Sequence, residues 1–180
     1  TPIPGMNNLY YLQIVPAGTA FLSQIDQGSI ARVSLDIDNN GVYYIVYTDT
    51  ATNQIKFNKP SLATSQTITT GTISDISAIG SNPTALFVPV FDLNQLKLLI
   101  STSGGSTWST ITLLTGINIF PGLAIHEIKD VNKFYISYIQ IMSGAFTVNV
   151  VLFNPPNLQI VNIDGPTNSF IAKTDLVLDN

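Results

Sequence analysis

His126 is the only histidine of the chain and stands beside the only glutamate, Glu127, in the stretch Leu123 to Asp130. An imidazole beside a carboxylate would suit general base catalysis if the two side chains met on one face. Neighbours along a β-strand point to opposite faces, so these two do not meet locally. No Gly-x-Ser-x-Gly elbow is present either, and no catalytic residue is assigned.

The run Asp36, Ile37, Asp38, Asn39, Asn40, Gly41 matches the opening of a calcium loop, in which alternating side chains bring oxygen ligands to one cation. Asp36, Asp38 and Asn40 would be those ligands. The ninth and twelfth positions, which should supply the closing acid, are Tyr44 and Tyr47. A polar hairpin is therefore expected, with calcium as the competing reading and no other cofactor. A glycosidase needs two carboxyls about 5 to 10 Å apart. Of the ten aspartates, Asp26, Asp38, Asp49, Asp92, Asp130 and Asp164 sit beside turn residues, where Asp bonds the local backbone, so spacing selects no pair.

Composition narrows the setting. A chain of 180 residues fits one domain, residues 1–180, with a sizeable core. Charged residues are 10% and apolar ones 45%, so the polar surface must be built from Thr, Ser, Asn and Gln, as suits an extracellular, cell-surface or virion protein. The net charge of −4 and scattered lysines leave no basic stripe for a phosphate backbone, which excludes nucleic acid as an expected partner. Without cysteine there are no disulfides and no thiolate chemistry. Apolar runs break before the roughly 18 residues of a membrane-spanning helix. A first residue of Thr1 is expected of a mature or excised product.

The elements that must position these residues are strands. Short runs rich in Val, Ile, Tyr, Phe and Thr alternate with turn clusters, and none holds a helical period. Val33 to Tyr47, Ile76 to Phe91 and Leu123 to Ile139 each read as strand, polar turn, aromatic-rich strand, at a spacing of 43 to 48 residues. Two further strands follow in each repeat, the layout of a four-stranded propeller blade. The ends look complementary. Ala172 to Asn180 resembles the first strand Ala31 to Asn39, and Asn7 to Val15 resembles the second strand Asn39 to Tyr47. Ala172 to Asp179 is therefore predicted to pair with Leu9 to Val15, within the molecule or between neighbours, and to hide two edges. The stretch between Asn8 and Ala31 is one strand too short for a full blade. A four-bladed ring, completion by a neighbour, or excision from a larger propeller would each account for that.

Ser101 to Trp108, Ser-Thr-Ser-Gly-Gly-Ser-Thr-Trp, resembles the Asp-box (BNR repeat) of the sialidase-like β-propeller superfamily. Ser101, Gly105, Thr107 and Trp108 match its pattern, and Ser103 stands where the aspartate belongs. The resemblance implies a hairpin between the third and fourth strands of a blade, with a structural rather than a catalytic role. Sialidases hold the substrate carboxylate with three arginines, and this chain has one, Arg32. Tyr10, Tyr11, Tyr43, Tyr44, Tyr47, Tyr135 and Tyr138 lie on predicted strands, so about half should face inward and the rest could offer ring faces to a sugar.

The expected fold is all-β, an antiparallel β-propeller-like domain of about four blades of ~45 residues, its terminal strands closing one incomplete blade. The expected role is a non-catalytic surface or extracellular recognition or structural module, meeting a glycan or protein on a surface. The competing readings are a self-assembling subunit, completed by strand exchange with copies of itself, and a fragment of a secreted glycoside hydrolase.

Overall fold

The computed structural model describes residues 7–14, 18–73, 76–79, 84–126, 134–154 and 157–167. These contain strands and turns but no helix. Strands β1 (Asn7–Ile14) and β2 (Ala20–Gly28) form an antiparallel hairpin. Next come β3 (Ile30–Ile37), β4 (Tyr43–Asp49), β5 (Gln54–Asn58) and β6 (Gln66–Thr70), a meander in chain order. A second meander holds β7 (Thr72–Ile73), β8 (Ser77–Ile79), β9 (Ala85–Asp92), β10 (Gln95–Ser101) and β11 (Ser109–Thr115). The third holds β12 (Ile119–His126), β13 (Phe134–Met142), β14 (Ala145–Asn154) and β15 (Asn157–Thr167). All pairings are antiparallel, and the meanders fall on the three sequence repeats. The Ala172 to Asp179 strand expected from sequence lies outside the described residues. Among the described residues the sheets are not seen to close into a ring.

One inner strand departs from expectation and is split. β7 pairs with β9 at Phe91 and Val90, and β8 pairs with it at Phe87, Leu86 and Ala85. Pro89 lies between these two sets. It has no N–H to donate, and an inner strand cannot run unbroken past it. The hairpin from β9 to β10 is tight for a related reason: Leu93 and Asn94 both have positive φ, 48° and 61°, the two-residue geometry whose twist matches the flanking strands.

Packing follows chain order. Tyr44, Val46, Ile55 and Phe57 of the first meander meet Ile76, Ala78, Leu86, Val88, Val90 and Leu99 of the second in one buried cluster. Phe87, Leu96, Leu98 and Leu113, on the opposite face of that second sheet, meet Ile136, Tyr138, Val151 and Phe153 of the third. The second sheet is thus covered on both faces, which is why Ala-Leu-Phe-Val-Pro-Val-Phe reads as a continuous apolar run rather than an alternation. The β1–β2 hairpin sits on the other side of the first meander: the Tyr11 ring lies against Tyr43, with centroids 3.9 Å apart.

Leu93 is exposed and left-handed, a conformation that costs a side chain with a Cβ about 1–2 kcal/mol and that Asn tolerates better. Leu93→Asn should therefore stabilise the fold by about 0.5–1 kcal/mol. The check is a rise in the thermal unfolding midpoint at pH 7, with the far-UV spectrum unchanged.

Candidate functional site

Ser101 to Trp108 connect β10 to β11, the third and fourth strands of their meander when the split inner strand, β7 and β8, counts as one. Buried Ser101 accepts the Gly105 N–H at 2.8 Å and the Ser103 N–H at 3.3 Å through its Oγ. Ser103 accepts the Thr107 N–H at 2.9 Å and shares a hydrogen bond with the Thr107 hydroxyl at 2.9 Å. A serine thereby caps the turn where the Asp-box pattern has a carboxylate. Trp108 is half-buried; its Nε1 donates to the Gly105 carbonyl at 3.1 Å and its ring meets Phe57 edge-on at 5.3 Å. Gly105, at φ +86°, admits no side chain, since a Cβ there would lie 2.3 Å from the Phe57 ring. Lys59 donates to the Gly104 carbonyl at 2.7 Å, and Gly104 donates to the Thr84 carbonyl at 3.0 Å. The hairpin is thus turned inward and fastened to the preceding sheet.

The calcium-like run is occupied by protein donors. Buried Asp38 accepts the Asn40 and Val42 N–H groups on Oδ1, at 2.8 and 3.0 Å. Its Oδ2 accepts the Thr84 hydroxyl at 2.7 Å and the Tyr44 hydroxyl at 3.0 Å. Those four donors fill a carboxylate's lone pairs. Asp36 accepts the Ala78 N–H at 2.7 Å and the Ile37 N–H at 2.8 Å. A cation at Asp36, Asp38 and Asn40 would have to displace these bonds, and no three His, Cys, Asp or Glu side chains gather as a metal site among the described residues. Burial raises the Asp38 pKa, but the hydroxyl and amide donors outweigh it and hold the carboxyl below its ordinary value.

A second polar cluster joins residues far apart in the chain. Asp26 on β2 accepts a hydrogen bond from the Tyr47 hydroxyl on β4, and Lys56 on β5 lies 3.2 Å from Asp26 and 3.4 Å from Asp49. Sequence reading placed Asp26 beside a turn, but it lies inside a strand and bridges two sheets; Asp164 likewise falls within β15. Burial raises the Asp26 pKa, and the bonds from Tyr47, the Gln27 amide and Lys56 more than offset it, leaving it low. Burial, then the Asp26 carboxylate, push Tyr47 up; Lys56 is lowered by burial yet raised on balance by its two carboxylates. A carboxyl held low is the wrong partner for a glycosidase general acid, which needs a raised value.

The remaining candidates separate. His126 ends β12 opposite Tyr135, while Glu127 and Asp130 lie outside the described residues. Tyr44, Tyr47 and Tyr138 are buried, Tyr11, Tyr43 and Tyr135 are half-buried, and Tyr10 is exposed. Tyr10 shares the outer face of the β1–β2 hairpin with Leu12, Ile14 and Leu22, all exposed. Beside β1 runs a groove of 530 Å³, lined by Leu9 to Ile14, by Val33, Leu35 and Ile37 of β3, and by Gly41 and Ile45. Sequence reading missed both the groove and the Asp26 cluster. Each joins residues of the hairpin to residues of the first meander, Leu9 to Ile14 with Val33, Leu35 and Ile37 in one and Asp26 with Tyr47 and Lys56 in the other, and these meet only through sheet packing.

No family model matches the chain, and no curated protein matches it as a relative. No helix among the described residues is long and apolar enough to cross a membrane.

Two measurements test the site. Asp26 and Asp38 have folded pKa values below their unfolded ones, so the stability they supply is in place above an unfolded pKa near 4 and is lost as pH falls through the folded values. The thermal midpoint of the native chain should fall steeply below about pH 4; that of Asp38→Asn should start lower at pH 7 and fall less. Trp108→Ala, which removes a half-buried indole, should cost about 2 kcal/mol in urea unfolding, and Gly105→Ala should cost more because Phe57 blocks its Cβ.

Proposed function

We propose that this chain is a non-catalytic recognition or structural module of β-propeller type, displayed outside the cell or on a cell or virion surface. The observation that carries the reading is the succession of meanders, four-stranded in the first and third and with the inner strand split into β7 and β8 in the second, each burying a core against the next in chain order, as blades do. The Ser101 to Trp108 hairpin occupies the third-to-fourth strand position that an Asp-box takes in a blade. The side chains best equipped for chemistry, Asp26, Asp36, Asp38 and Asp49, are engaged in bonds that hold sheet to sheet or turn to strand. What remains for function is the outer surface, poor in charge and rich in hydroxyl and amide groups, with glycan or protein as its partner.

A second reading is favoured by one observation. Tyr10, Leu12, Ile14 and Leu22 form an exposed apolar face on the hairpin, and such faces mark contact surfaces. In a subunit that assembles with its copies, that face would be covered by a neighbour.

Solution mass, a glycan array and aryl glycosides separate the readings. A recognition module gives the mass of one chain, 19.4 kDa, with binding on the array and no chromophore released. Large species by light scattering that shrink on Leu12→Glu would replace it with the assembly reading. Turnover of an aryl glycoside would overturn both.

A further inference from the structure

The inner strands of neighbouring sheets are covered very differently. In the second meander, Ile76 and Ala78 face the first meander and are 3% and 6% exposed. Strand β3 lies over them, and its Asp36 takes the Ala78 N–H. In the first meander the inner-strand residues that face the β1–β2 hairpin are Val33, Leu35 and Ile37, and they are 48%, 44% and 49% exposed. The hairpin has the equivalents of β4 and β5 but, among the described residues, no equivalent of β3. The groove follows that vacancy: six consecutive residues of β1 line it, as a free strand edge does, with Val33, Leu35 and Ile37 as its floor.

We propose that this groove is the seat of the chain's own C-terminal segment, Ala172 to Asn180, which adds to the free edge of β1 as the inner strand of the first sheet. The proposal rests on the blade reading above and names the residues that complete the incomplete blade. Aligned with Ala31 to Asn39, the segment Ala-Lys-Thr-Asp-Leu-Val-Leu-Asp-Asn puts Val177 at the position of Asp36, so an apolar side chain meets the apolar floor of Val33, Leu35 and Ile37. Tyr11 faces the first meander as Tyr44 faces the second, so the structure lays Tyr10 and Tyr11 on Tyr43 and Tyr44, one residue from the match of Asn7 with Asn39 in the sequence repeat. Asp179 then falls at the position of Asp38 and Tyr11 at that of Tyr44, the pair whose hydroxyl and carboxylate are 3.0 Å apart in the first meander. There Asp179 takes the Tyr11 hydroxyl, and Gly41 at the end of the groove, with nothing within 4 Å of where its Cβ would lie, leaves room for it. The chain is long enough to do this itself. Residues 168–171 separate β15 from the segment, one more than the residues 116–118 that carry the chain from β11 to the next sheet.

The register makes the test specific. Leu35 faces Ile45 across β3 and β4, so Leu176 should face Leu12. The chain has no cysteine, so paired substitutions report without background. Leu12→Cys with Leu176→Cys should oxidise to a disulfide within one chain, monomeric on a non-reducing gel, because facing residues of an antiparallel pair fall within disulfide range. Leu12→Cys with Val177→Cys, one residue out of register, should stay reduced. A chain ending at residue 171 should melt lower and bind the synthetic peptide of residues 172–180 at one to one. The Asp179→Ala peptide should bind at least about tenfold more weakly, and the full-length chain should bind neither. Disulfide-linked dimers would overturn the own-chain assignment in favour of a second copy. Equal oxidation of both cysteine pairs, or none of the matched pair, would overturn the docking itself. A monomeric chain that recognises its surface partner but forms no matched disulfide would remove this proposal alone, whereas aryl glycoside turnover with the disulfide formed would remove the functional reading alone.

Discussion

A β-sheet with two apolar faces cannot stand by itself in water, and the β7–β11 sheet has two. Leu86, Val88 and Val90 on one face and Phe87, Leu96 and Leu98 on the other are buried only because a meander lies against each side. Each large aliphatic side chain so buried contributes about 1.5–3 kcal/mol, and neither face can be given up. The central sheet therefore dictates a series of sheets stacked face to face. Each neighbour in turn needs its own outer face covered, and the need travels along the chain to the hairpin at one end and β15 at the other.

Apolar packing resists separation but not sliding, and the polar contacts supply what it lacks. With only 10% charged residues, the chain concentrates several of them where sheets meet. Asp36 reaches the Ala78 amide, Asp38 the Thr84 hydroxyl, Asp26 the Lys56 ammonium and Lys59 the Gly104 carbonyl. Each bond has one geometry and so fixes one register between sheets. The same bonds engage the carboxylates of Asp26, Asp36 and Asp38 in holding sheets and turns together. A carboxylate with four donors, such as Asp38, is a structural anion.

Local features were legible before any coordinates. The Ser101 to Trp108 turn closes within eight residues, and the Asp38 turn within five, so their types and spacing carry the geometry. The break between β7 and β8 was not read from the sequence, although Pro89 inside the apolar run carries its signal, a missing donor. The Asp26, Tyr47, Lys56 and Asp49 cluster was not legible. It depends on which face of the hairpin meets β4 and β5, and no local rule states that. Tyr43 and Tyr44 make the same point: adjacent and identical, one is half-buried and the other buried with its hydroxyl on Asp38.

By itself the sequence determined an all-β antiparallel chain, its three repeats, most of its strand limits and the turns between them, because alternation, turn chemistry and repeat period act over a few residues and need no partner. The tertiary structure decided what lies between the sheets. It selected which face of each strand is covered, which carboxylates are saturated, that Asp26 ties the hairpin to the first meander, and that Val33, Leu35 and Ile37 floor an open groove. The physical reason is that burial belongs to a pair of surfaces. A strand's own residues fix its two faces, but only the neighbour that packs there decides which one is hidden from water.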